Sequence, residues 1–138
     1  MCCGISGSIK GVLGDMPFLF IGSTGDHAGQ CLVAWAIARR LREKGVRMGF
    51  FKPFGTRPAC INDLWVDPDA YLFKETFNLE EPLDLICPYI LPEKNGNPDL
   101  PENILDEIRS LAMKLSAGKD LLIIIGSRHI FFDDAPHF

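Results

Sequence analysis

The sequence predicts an α/β fold with a mostly parallel sheet, and three observations predict it. Short continuous apolar runs recur: "FLFIG" at 18–22, "VRMGFFKPFG" at 46–55 and "LLIIIG" at 121–126. Runs of this length suit strands covered on both faces, as parallel strands are. Helical patterns separate them. The first strand, a glycine-rich loop, a helix and the second strand follow one another within about 35 residues, which is a βαβ unit with a right-handed crossover.

Taken in order, "MCCGISGSIKGVLGD" (1–15) is small and glycine-rich and reads as a flexible extension, ahead of a single domain over 16–138. Strand 18–22 comes next. "AGQCLVAWAIARRLREKG" is helical, with Val33, Ala36, Ile37 and Leu41 on one face and Gly45 as the C-terminal stop. "VRMGFFKPFG" is one strand, stopped by Pro53. "VDPDAYLFKETFNL" (66–79) is a short helix with proline in its first turn. "LDLICPYILPEKNGNP" (83–98) is irregular. The clearest helix lies in "LPENILDEIRSLAMKLSAGKD". There Ile104, Leu105, Ile108, Leu111, Ala112 and Leu115 form a stripe, Pro101 opens the helix and Gly118 closes it. Trp35 and Trp65 are expected to be packing residues rather than a base-stacking pair.

The chain is 138 residues long, 47% apolar and 23% charged, the balance of an ordinary globular domain. A formal charge of -4 argues against nucleic acid as the main partner. No apolar run approaches the roughly 20 residues of a membrane span. The five cysteines are odd in number and contain no C-x-x-C pair. They read as free thiols of a cytoplasmic protein, and neither they nor the three histidines show zinc-ligand spacing.

The segment with most chemistry in it is "GSTGDHAGQC": Gly22, Ser23, Thr24, Gly25, Asp26, His27, Ala28, Gly29, Gln30 and Cys31. A strand, a glycine loop and a helix N-terminus together make an anion site, because free backbone N–H groups and the helix dipole converge there. The spacing departs from G-x-x-x-x-G-K-[ST]. Gln30 brings no charge to a phosphate, and Cys31 is a poor ligand for magnesium. On the residues alone two readings stand: a phosphate loop, or a tight strand-to-helix turn that needs its glycines for conformation.

Together with "RLREKGVRMGFFKPFGT", this loop resembles the dethiobiotin synthetase-like P-loop family, in the branch found in the N-terminal part of phosphotransacetylases and in DRTGG-domain proteins. "DPDAYLFKETFNLEEPLDLICPYILPE" extends the resemblance, which covers about residues 17–126. It implies a P-loop NTPase-like three-layer fold. It implies that residues 22–31 hold ATP or ADP phosphates, that Lys52 is the catalytic or phosphate-directed lysine with Thr56 beside it, and that Asp69 helps to hold Mg2+.

The same resemblance marks three losses: Gln30 for the loop lysine, Cys31 for the loop hydroxyl and Ile125 for a magnesium-binding glutamate. Lysine and metal neutralise the charge that develops in phosphoryl transfer, so losing all three is coherent with lost catalysis. The family continues with more strands, so the chain reads as degenerate and truncated, its sheet incomplete, or else completed by a second copy or an attached regulatory domain. Asp133 and Asp134 are candidates for a substituted metal role, Arg57 for the charge missing at Gln30, and Cys31 for a reactive thiol unless burial quiets it. The leading expectation is a nucleotide-binding regulatory domain or pseudoenzyme. The alternatives are an active ATP- and magnesium-dependent ligase, and a structural or dimerisation remnant without ligand.

Overall fold

The structure, a computed structural model, describes residues 17–22, 29–91 and 100–126. Strand β1 (Phe18–Ile21) leads to helix α1 (Gln30–Glu43) and strand β2 (Met48–Phe51). After a two-residue break comes β3 (Phe54–Gly55), and then a hairpin of β4 (Ala59–Ile61) and β5 (Leu64–Val66). Helices α2 (Pro68–Phe77) and α3 (Leu83–Ile86), strand β6 (Tyr89–Ile90), helix α4 (Ile104–Ser116) and strand β7 (Leu121–Ile125) complete the described chain.

The main sheet is parallel in the order β1-β7-β2, so the α/β class with a mostly parallel sheet is observed. Phe18 to Ile21 pair with Leu122 to Ile125, and Met48 to Phe51 pair with Leu121 to Ile124. The last of the described strands therefore lies at the centre of this sheet, which explains its unbroken Leu-Leu-Ile-Ile-Ile. Successive strand residues face opposite sides. A side chain at Gly49 would collide with Leu122 and with the Leu115 carbonyl of α4 at 2.8 and 2.9 Å, so α4 lies close on that face. The neighbouring Phe50 stacks on Phe73 of α2 at 3.8 Å, on the other. Trp35 of α1 meets Phe77 of α2 at 6.2 Å, so α1 shares the α2 side and the layers are three.

Several sequence expectations are corrected. The run 46–55 is two strands: Pro53 offers no N–H, and the Lys52 N–H turns away to the Ile86 carbonyl at 2.9 Å. From there β3 pairs with β6, which gives order to part of a segment expected to be irregular. The core stripe of α1 is Ala34 and Ala38, flanked by Cys31, Trp35, Ile37 and Leu41; Val33 and Ala36 face outward. Alanines at i and i+4 let the helix approach the sheet closely, which a periodicity count weighted toward larger residues overlooks. Leu105 likewise lies outside the α4 stripe, and α4 begins at Ile104, three residues after Pro101.

The hairpin β4–β5 was not expected. Its turn residues Asn62 and Asp63 have φ of 51° and 62°, the left-handed pair that a two-residue hairpin requires. Trp65 stands on it 70% exposed, so only Trp35 of the two tryptophans packs inside. Residues 1–15, the loop positions 23–28 and the Asp133–Asp134 pair lie outside the described residues.

Candidate functional site

The C-terminal ends of β1, β7 and β2 carry Gly22, Gly126 and Lys52, and parallel sheets bind ligands at this edge. Gly29 caps α1 with φ 77° and ψ 17°, a conformation that favours glycine. The first helical residue, Gln30, donates from Nε2 to the Gly126 carbonyl at 2.9 Å, while the Gly126 N–H donates to the Ile21 carbonyl at 2.9 Å. The start of α1 is thus tied to the ends of both parallel strands. The Gln30 Oε1 is buried and, among the described residues, has no hydrogen-bond partner. Gly126 has a local reason to be glycine: a Cβ there would stand 2.6 Å from the ring of Phe20.

Lys52 sits where β2 stops, 5% exposed. Its Nζ donates to both carboxylate oxygens of Asp67, at 3.0 and 2.9 Å, and to Oδ2 of Asp69 at 2.9 Å. Burial alone would lower its pKa, but the charge of Asp67, helped by Asp69, holds it above the ordinary lysine value. Lys52 is therefore charged at neutral pH. Burial alone would likewise raise the Asp69 pKa; Lys52 overcomes this and holds it below the usual carboxylate value.

Asp67 is 2% exposed and was not singled out from the sequence. It caps α2, accepting the Ala70 N–H on Oδ1 at 2.9 Å, and Pro68 follows at the first helical position. Its signal was present in "DPDA": an N-cap aspartate before a first-turn proline, on the segment returning to the edge of β2. Gly55 lets it lie close, since a Cβ on Gly55 would be 2.9 Å from that of Asp67.

Cys31 joins the same cluster. Burial pushes its thiol up to about 12, and the S–H hydrogen-bonds Asp69. This counts against the reactive-thiol expectation, because desolvation favours the neutral thiol. Cys87, at the end of α3, is raised to about 12 for the same leading reason and senses the same charges.

Of the expected site residues, the fold brings together Cys31, Lys52 and Asp69, with Gly22, Gly29 and Gln30 at the same sheet edge. Ser23, Thr24, Gly25, Asp26, His27 and Ala28 lie outside the described residues. Thr56 is half-buried just beyond β3, and Arg57 is exposed. Ile125 is 1% exposed and belongs to the core. One lysine against two aspartates leaves this cluster a net formal charge of -1. In this state Lys52 is engaged by carboxylates, and Asp69, with a side chain 46% exposed, is the member that meets solvent. Among the described residues there is no group of three His, Cys, Asp or Glu side chains arranged to hold a metal ion. No helix of the described residues is long and apolar enough to cross a membrane.

No protein-family model matches the chain. It is similar to a phosphate acetyltransferase of Pseudomonas aeruginosa, at 30% identity over 126 residues. The match covers 89% of this chain and 17% of that relative, so the chain spans under a fifth of the length of the curated protein it matches. The similarity supports a relation to phosphotransacetylases.

Proposed function

We propose that the chain is a nucleotide-binding regulatory domain of the dethiobiotin synthetase-like, P-loop-like type, related to the N-terminal part of phosphotransacetylases, that holds ATP or ADP without turning it over. Lys52 carries this reading: a buried, charged lysine at the ligand-binding edge of a parallel sheet, on the same edge as the N-terminus of α1. A phosphate would draw Lys52 from Asp69, and Mg2+, if used, would take over Asp69. The replaced groups at Gln30, Cys31 and Ile125 count against an active ligase. The bound state would act on an attached domain or on a second copy.

A second reading has its own observation. Lys52 is closed by two carboxylates and Gln30 is committed to Gly126, which suits a purely structural edge. Calorimetry with ATP and ADP, with and without magnesium, separates the two. Binding in the wild type that disappears in the paired variant Lys52→Met/Asp67→Asn supports the nucleotide reading; the pairing avoids leaving a buried charge alone. Absence of binding in the wild type and also in Gln30→Lys/Cys31→Thr favours the structural reading.

A further inference from the structure

Away from the sheet edge, α1 and the C-terminal end of α2 border an open groove of about 530 Å3, lined by Trp35, Arg39, Arg42, Glu43, Thr76 and Phe77. Its size is that of a small-molecule site. The walls are aromatic, Trp35 and Phe77 lying 6.2 Å apart at a tilt of 55°. The rim is cationic. The Arg39 guanidinium lies 5.7 Å from the Trp35 ring centre and that of Arg42 6.0 Å from the ring of Phe77.

The two arginines are not neutralised alike. Glu43 is bonded mainly to Arg40, at 2.9 Å, and meets Arg39 only at 3.7 Å. Arg42 has no acidic partner among the described residues; it donates Nη1 to the Thr76 carbonyl at 3.0 Å, near the end of α2. That bond ties the guanidinium to the end of α2 beside the groove and leaves most of its donors without a partner among the described residues. A planar donor fork beside aromatic walls is the chemistry that recognises a carboxylate or phosphate attached to a flat ring.

We propose that this groove binds a small planar aromatic anion, its ring against Trp35 and Phe77 and its acidic group on Arg42, with Arg39 assisting. Its acidic-group end is distinct from the Lys52 cluster: Cys31 of that cluster and Arg42 are roughly 16 Å apart along α1 at the usual helical rise.

Fluorescence of Trp35 tests it, in a Trp65→Phe background that removes the exposed second tryptophan. The probes are adenosine 5′-monophosphate, benzoate, adenosine and inorganic phosphate. Saturable changes with the monophosphate or with benzoate are expected, the two arms telling a nucleotide from an aromatic acid. Adenosine and phosphate should bind at least about tenfold more weakly, since each lacks half of the recognised chemistry. Arg42→Gln should weaken binding by at least about tenfold with an unchanged urea midpoint, and Lys52→Met/Asp67→Asn should leave it intact. The proposal is overturned if neither aromatic anion gives a saturable change at millimolar concentration, if phosphate binds as well as they do, if Arg42→Gln has no effect, or if the Lys52 variant abolishes the signal.

Discussion

Lys52 and Asp67 form a buried ion pair in which one ammonium meets both oxygens of one carboxylate, at 3.0 and 2.9 Å, with the side chains 6% and 2% exposed. Removing one member of such a pair strands the other charge in the interior. Lys52→Met should therefore cost about 3–5 kcal/mol, whereas Lys52→Met/Asp67→Asn should cost less than the lysine variant alone. Urea unfolding of the single and double variants measures this. A double variant that loses the sum of the two singles would mean that the two side chains are not coupled.

Asp69 bonds the same ammonium at 2.9 Å, but its side chain is 46% exposed. Water screens it, so Asp69→Asn should cost less than about 1 kcal/mol at neutral pH. The sign of its pH dependence follows from a folded-state pKa below 3.8. The stabilisation is complete above the unfolded value and is lost as pH falls through the folded one. The stability difference between wild type and Asp69→Asn should thus shrink as pH is lowered from 5 to below the wild-type pKa. Stability curves on both proteins across that range check it; a constant difference would exclude titration of Asp69 as its source.

Gln30 holds the start of α1 to the end of β7 through one hydrogen bond to the Gly126 carbonyl. Gln30→Met keeps similar length and removes the donor, so it should cost about 1 kcal/mol. Gln30→Lys can still donate to that carbonyl and should cost less. Chemical denaturation of the two variants decides the order, and equal losses would place the effect in packing instead.

What the sequence disclosed depended on the range of the interaction. The three main-sheet strands and three helices were legible because each is a local pattern: an apolar run, a first-turn proline, a C-terminal glycine. Lys52 was legible as a charged residue at a strand end. Its partner Asp67 was not, because it lies fifteen positions on, beyond a hairpin, and its local role as a helix cap hid its second role. The face of α1 was misjudged because Ala34 and Ala38 signal closeness rather than hydrophobicity. The break at Lys52-Pro53 turns on where the Lys52 N–H goes, and its acceptor, Ile86, lies 34 residues on. The hairpin escaped because its turn is Asn-Asp rather than Asn-Gly.

Cys31 and Cys87 give the cluster an alkaline limit. Burial raises both thiols from 9.0 to about 12, so the folded state prefers them neutral while the unfolded chain ionises them near 9. A group raised on folding contributes stability that is present below its unfolded pKa and lost as pH rises toward its folded one. Lys52, held above 10.5, is governed by the same sign and loses its contribution only at still higher pH. Stability should therefore fall from about pH 9 upward, each thiol adding about 1.4 kcal/mol per pH unit to the slope. Cys31→Ala and Cys87→Ala should each lower the neutral-pH stability by lost packing yet make this slope shallower, and the double variant shallower again. Denaturation at intervals between pH 8 and 11 reads the slope directly. If the slope is the same in all four proteins, the thiols ionise as freely in the folded state as in the unfolded one, and the burial assigned to Cys31 and Cys87 is wrong.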